Sequence, residues 1–108
     1  MPRFLVIADY SADGARGLMA AGGSARKTAV EKMVSGLGGQ IETFDFAFGG
    51  DDVYTIIDMP DSESAAAVAL TVSGSGAVRA RTVVLLTPEQ VDRAAQLRPE
   101  YTPPGQTS

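Results

Sequence analysis

The sequence predicts one α+β domain in which a four-stranded antiparallel sheet is assembled in the order β-α-β-β-α-β, with a further helix after it. Three observations carry this prediction. Two alternating apolar runs, Phe44 to Phe48 and Val53 to Asp58, flank the turn Gly49-Gly50-Asp51-Asp52 and read as a β-hairpin. Strand patterns lie on either side of the hairpin in the chain, and the stretches between carry apolar residues at helical spacing. At 108 residues with 44% hydrophobic content, the chain can fill one core and is short for two.

Each element has its own signal. Arg3 to Tyr10 is rich in Phe, Leu, Val and Ile and closes at Ser11-Ala12-Asp13-Gly14, which makes it the first strand. Around Ala15 to Ala21 the glycines predict an irregular or short helical segment. Ser24 is placed to cap a helix with Val30, Met33, Val34 and Leu37 on its core stripe, and Gly38-Gly39 supplies a left-handed stop. The hairpin strands run from Gln40 to Phe48 and from Val53 to Met59, where Pro60 ends the ladder. Asp61 caps the next helix, with Glu63 in its first turn and Ala65, Val68, Ala69 and Val72 along one stripe, and Ser73-Gly74-Ser75-Gly76 ends it. Val78 to Leu86 is the fourth strand. Thr87-Pro88-Glu89-Gln90 reads as a capping box with proline at the first helical position, opening a helix to about Leu97. The domain is thus expected over residues 1–98, and the Pro-rich residues 99–108 form a loose tail or an arm lying on a neighbour.

Composition excludes several classes of function. Cysteine and histidine are both absent, which removes disulfides, thiolate nucleophiles, zinc sites of the usual kind and imidazole acid/base chemistry. Chemistry is left to carboxylates, Tyr10, Tyr54, Tyr101, hydroxyls, Lys27, Lys32 and the arginines, unless a cofactor is supplied; no cofactor or metal is expected. With 9 basic and 13 acidic residues the net charge is -4, and no basic face offsets it, so nucleic acid is not an expected partner. No apolar run approaches the roughly 18 residues of a membrane span, and the chain enters its first strand without a signal-peptide pattern, so a cytoplasmic protein is expected.

The element order is the split β-α-β arrangement of the ferredoxin-like fold, with both main helices on one sheet face. The other face of such a sheet is expected to be wet in a monomer. Here the first strand is apolar on both sides, Phe4 and Val6 against Leu5 and Ile7, which predicts that a second sheet covers the bare face. Phe44, Phe46 and Phe48 share one side of their strand and are expected to form a packed interface or the apolar wall of a pocket.

An ordered set of elements carries a family likeness: the Ser11-x-x-Gly14 turn, Gly38-Gly39, Gly49-x-Asp51-Asp52, Met59-Pro60-Asp61 and Gly76-x-Val78-Arg79-x-Arg81-Thr82. Over roughly Met1 to Val91 this set resembles the GYD-domain proteins, small bacterial members of the dimeric α/β-barrel superfamily. In the Gly-Tyr-Asp element, the family tyrosine aligns with Asp51 and the aspartate with Asp52, so any role of the ring is absent. The resemblance implies a homodimer, or a higher homo-oligomer, of ferredoxin-like protomers packed sheet against sheet. It implies no settled activity.

The strand order brings Asp9, Tyr10, Asp45, Tyr54, Arg79 and Arg81 to one edge of the sheet, divided between its two faces by strand alternation. Those facing the cleft are the candidate site: an arginine to orient a carboxylate or enolate oxygen, a tyrosine or desolvated aspartate to move a proton. The plainer reading is that Arg79 or Arg81 pairs with Asp9 or a partner carboxylate and closes the interface. Asp51 and Asp52 could face a hard cation, but too few oxygens stand at set spacing and a β-turn is preferred. Gly22 to Lys27 could hold an anion at a helix start; it lacks the phosphate-loop pattern, and a capped helix with a solvated basic turn is preferred.

Three functions are therefore expected in order of preference. The first is an oligomer binding a small apolar or weakly acidic molecule in the cleft between sheets. The second is a cofactor-free oxygenase, isomerase or lyase for an enolisable aromatic or polyketide-like substrate, with Asp9 or Asp45 as base, Tyr54 as proton donor and Arg79 or Arg81 holding the oxyanion. The third is a scaffold without ligand.

Overall fold

Alternation along the first strand decides the architecture. In β1 (Arg3–Tyr10), Phe4, Val6 and Ala8 are buried while Leu5, Ile7 and Asp9 stand half-buried on the other side. The computed structural model describes residues 1–106, and Thr107 and Ser108 of the expected tail lie outside the described residues. After β1 come α1 (Ala12–Ala21), α2 (Gly23–Gly36), β2 (Gln40–Phe46), β3 (Val53–Asp58), α3 (Ser62–Gly74), β4 (Val78–Leu85) and α4 (Pro88–Ala95). The strands form one antiparallel sheet in the order β2-β3-β1-β4, the ferredoxin-like topology expected. Among the described residues, no helix is long and apolar enough to cross a membrane.

The core lies between the sheet and the helices. Phe4, Val6 and Ile57 from the strands meet Val30 and Val34 from α2, Ala65 and Val68 from α3, and Met59. The buried Thr55 hydroxyl is satisfied by donating to the Thr43 carbonyl, 2.7 Å away, beside a bulge that offsets the β2–β3 ladder between Ile41 and Thr43. That bulge turns Glu42 toward Arg3, whose Nε lies 2.6 Å from Glu42 Oε2 and 3.9 Å from Asp58 Oδ1.

Several boundaries differ from the sequence expectation. The segment expected to be irregular or a short helix from about Ala15 is a helix, α1, that begins earlier, because the Ser11 side chain accepts from Gly14 N at 3.1 Å and starts it at Ala12. The next helix begins at Gly23 rather than behind a Ser24 cap. Gly22, at φ 91°, bends the chain sharply while its N–H still donates to the Leu18 carbonyl, so the two helices abut with no loop between them. Leu37 leaves the core stripe, being the C-cap and 40% exposed. β2 stops at Phe46 because Phe48 adopts φ 54°, which takes the chain out of the ladder. The third and fourth strands end one residue early, at Asp58 and Leu85. Asp61 caps α3 by accepting from Ser64 N at 2.8 Å, which holds its carboxyl below the usual range. The Thr87–Gln90 capping box forms as expected, although α4 ends at Ala95 rather than Leu97 and buries none of its residues.

The phenylalanine row faces the helices, not the open side of the sheet. Phe46 packs edge-on to Phe44, stacks on Phe48 at 5.7 Å between centroids and lies against Gly23 of α2. Of their two expected roles, packing in a sheet-to-sheet interface is therefore corrected, while Phe44 does help to wall an apolar cavity, on the helix side. Phe44 and Phe46 complete the helix-side core, and only Phe48 is exposed.

Candidate functional site

The open face of the sheet has an apolar middle and a polar end. Leu5 and Ile7 from β1, Ile56 from β3 and Leu85 from β4 are half-buried there, with Val83 44% exposed. Ile7 pairs with Tyr54 on one side and Arg81 on the other, Asp9 pairs with Arg79, and Asp45 pairs with Tyr54. The parity of the strands thus places Asp9, Asp45, Tyr54, Arg79 and Arg81 on this one face. Tyr10 is the exception, its ring lying on the helix side beneath the guanidinium of Arg26.

Asp51, singled out in the sequence only as a turn residue that could face a cation, joins the members of this group. One carboxylate oxygen, Oδ2, accepts from Tyr54 Oη at 3.3 Å and from Arg81 Nη2 at 2.9 Å. Asp51 also lies close enough to Asp9 for its carboxyl to act on the titration of Asp9. Asp52, by contrast, bolts the hairpin to β1. Its N–H donates to the Ala8 carbonyl at 3.0 Å and to Asp9 Oδ1 at 3.2 Å, its Oδ2 accepts from Tyr10 N at 2.9 Å, and its carbonyl accepts from Ala47 N. The two adjacent aspartates therefore divide their work: Asp52 holds backbone, and Asp51 faces the cluster. No group of three His, Cys, Asp or Glu suited to a metal occurs among the described residues.

The expected alternative pairing of an arginine with Asp9 is not what forms. Arg81 pairs with Asp51, and Arg79, although opposite Asp9 in the ladder, enters no ion pair among the described residues. Asp45 is exposed at the flank and bonds to none of the others. Arg79 and Asp9 instead border a groove of about 460 Å³ with Ser11, Ser73 and Gly76. The Arg81 side chain is 62% exposed, so its ion pair contributes little to stability and serves chiefly to set the positions of Asp51 and Tyr54.

The electrostatics favour neutral forms. Partial burial, and then the adjoining Asp51 carboxyl, raise the Asp9 pKa against the opposing pull of the Asp52 N–H. Desolvation, followed by the Asp51 charge, raises Tyr54 as well, with Arg81 opposing. Tyr54 is therefore a phenol that donates, and Asp9 is a carboxyl that holds its proton to higher pH than an ordinary aspartate. Because a raised carboxyl pKa favours the folded state below it and opposes folding above it, Asp9→Asn is expected to be more stable than the parent at pH 7. That gain should shrink as pH falls through the raised pKa and vanish below the ordinary carboxylate value, a dependence read from urea midpoints at several pH values. An unchanged difference across that range would show that Asp9 titrates normally.

A family model described as GYD domain matches residues 4–95. No curated protein and no solved structure matches the chain.

Proposed function

The chain belongs to the GYD-domain family, and from that premise we propose that it is a homo-oligomer whose sheets pack open face to open face and bind a small apolar or weakly acidic molecule in the cleft between them. The observation that carries this reading is the placement of Asp9, Asp51, Tyr54 and Arg81 at the end of a helix-free face whose middle is Leu5, Ile7, Ile56, Val83 and Leu85. An apolar stripe of this kind is normally covered. A partner sheet would desolvate the stripe and leave the polar end as the part of the cleft able to orient a ligand. Arg81 gives one of its five donors to Asp51, which leaves others for an anionic oxygen, and Arg79, in no ion pair among the described residues, adds a second cation beside it. The exposed arm of α4, with Val91 and Leu97, is suited to lie across the second copy.

Light scattering on a size-exclusion column is expected to give a mass of at least twice the 11.2 kDa chain, and a monomer would overturn the reading. Small aromatic acids are then expected to raise the melting temperature of the wild-type protein by several degrees and to lose that effect in Arg81→Ala. Equal shifts in the two proteins would remove Arg81 from the site, and no shift with any acid would leave assembly alone as the function.

A second reading, as a cofactor-free isomerase, lyase or oxygenase, is favoured by one observation, the raised carboxyl of Asp9 beside the neutral phenol of Tyr54. In that reading Asp9 takes a proton from an enolisable carbon, Arg81 steadies the enolate oxygen and Tyr54 returns a proton. Exchange of such a proton into D2O, present in the wild type and absent from Asp9→Asn, would separate it from simple binding.

A further inference from the structure

We propose a second ligand site on the opposite side of the sheet, where Arg26 stands at the mouth of an apolar cavity and binds a small amphipathic monocarboxylate. Arg26 lies in the first turn of α2, and its Nε is buried with no hydrogen-bond partner among the described residues. The guanidinium enters no ion pair there either, and its one close companion is the Tyr10 ring, with Cζ 6.0 Å from the ring centroid. Asp13, the carboxylate nearest the site on α1, is already taken by Arg16. A buried cationic donor left without an acceptor is costly, so a side chain held in this state is one that an anion would satisfy.

The surroundings define which anion. Arg26 borders three neighbouring spaces. One is a small apolar cavity of about 40 Å³ beneath α2 and α3, walled by Val6, Val30, Phe44 and Val68. The second is a cleft of about 340 Å³ between α1 and α2, kept open by Gly14, Gly17, Ala21 and Ala25. The third is a groove of about 310 Å³ between α2 and α3, with Thr71 and Ser75 among the residues that line it. One cation, with no second basic residue lining any of the three, matches a single negative charge rather than a phosphate dianion. The guanidinium, its Cζ 6.0 Å from the Tyr10 ring centroid, carries planar N–H donors of the kind that meet a carboxylate in the bidentate manner. The largely apolar walls of the two larger spaces then suit a short alkyl or aryl tail. The sheet separates this site from the open face carrying Asp9 and Arg81, so the two stand or fall independently.

The test titrates the uniformly 15N-labelled protein with octanoate and with phenylacetate, following the Arg26 Nε–H resonance and the Tyr10 ring. Saturable shifts at both are expected, with octanamide and phenylacetamide at least about tenfold weaker, since a charge-assisted pair is worth about that factor or more. Arg26→Met should weaken the acids by a similar factor, whereas Lys27→Met, one residue along on the exposed surface, should not. The amide comparison is made on the wild-type protein and holds even if Arg26→Met folds poorly. The proposal is overturned if acid and amide bind alike, if no saturable binding occurs, or if the shifts fall at Tyr54 and the open face instead.

Discussion

Replacing Gly14 by alanine is expected to cost about 3 kcal/mol of stability, a large fraction of what a domain of this size holds. Gly14 sits where the start of α1 crosses the start of β4. A Cβ there would be driven into the Ala77 carbonyl oxygen, with the Ala77 carbonyl carbon 3.1 Å away and the Tyr10 ring at 3.2 Å. The obstacle is backbone, so no side-chain rotation relieves it. The same carbonyl accepts from Ser11 N at 2.9 Å and Ser11 Oγ at 3.2 Å, and moving it away to make room would lengthen both bonds and disturb the cap of α1. Overpacking of this kind adds to the loss of roughly one hydrogen bond. Gly17, one turn on and facing open space, provides the contrast: alanine there is expected to be neutral or to stabilise by up to about 1 kcal/mol through helix propensity. Urea denaturation followed by circular dichroism reads both, the Gly14 variant showing a lower midpoint at unchanged slope. Similar midpoints for the two variants would mean that the α1–β4 crossing yields easily.

Ile7→Asp is expected to abolish assembly while leaving the protomer folded. Ile7 is at the centre of the open face, between Tyr54 and Arg81 on its neighbouring strands, and points away from the helix-side core. If two sheets meet on this face, each copy brings one new carboxylate into the middle of an apolar contact, unpaired and desolvated. A rise of at least about a thousandfold in the dimer dissociation constant, equal to roughly 4 kcal/mol, is the expected size of the effect. Light scattering over a concentration series would show a monomer with native circular dichroism. An oligomer that survives the substitution would move the contact elsewhere, with the apolar residues of the α4 arm next in line.

Much of this architecture was legible in the residues because it follows from local chemistry. The hairpin at Gly49 to Asp52, the Asp61 cap and the Thr87–Gln90 box are short-range signals, and each formed where its residues placed it. What escaped was set by tertiary contact. Ser11 to Gly14 read as a turn before an irregular or short helical segment, but the Ser11 cap and the packing at Ala77 start a regular helix there. The phenylalanine row read equally well as either face, since alternation assigns residues to sides without saying which side the helices cover. Of the candidate site, the parity of Asp9, Asp45, Tyr54, Arg79 and Arg81 was readable from the strand order. The role of Asp51 was not, because a turn residue has no strand parity and its reach toward Tyr54 and Arg81 depends on how the hairpin tip folds over β1. Arg26 was visible only as a basic residue near two glycines. Nothing in its neighbours along the chain reveals that its Nε is enclosed.

The register of the two flanking ladders also governs how the sheet would come apart under load. Arg3 pairs with Leu85 and with Asp58, while Asp9 pairs with Arg79 at the opposite end of β1. A force applied between the start of β1 and the end of β4 therefore acts on neighbouring points. It opens the antiparallel rungs one after another, like a zipper, instead of shearing all of them together. Parting begins at the Arg3 rung and reaches the Asp9–Arg79 rung only just before the final Tyr10–Val78 rung, so the Arg3 end can fray and re-form while the polar cluster stays assembled.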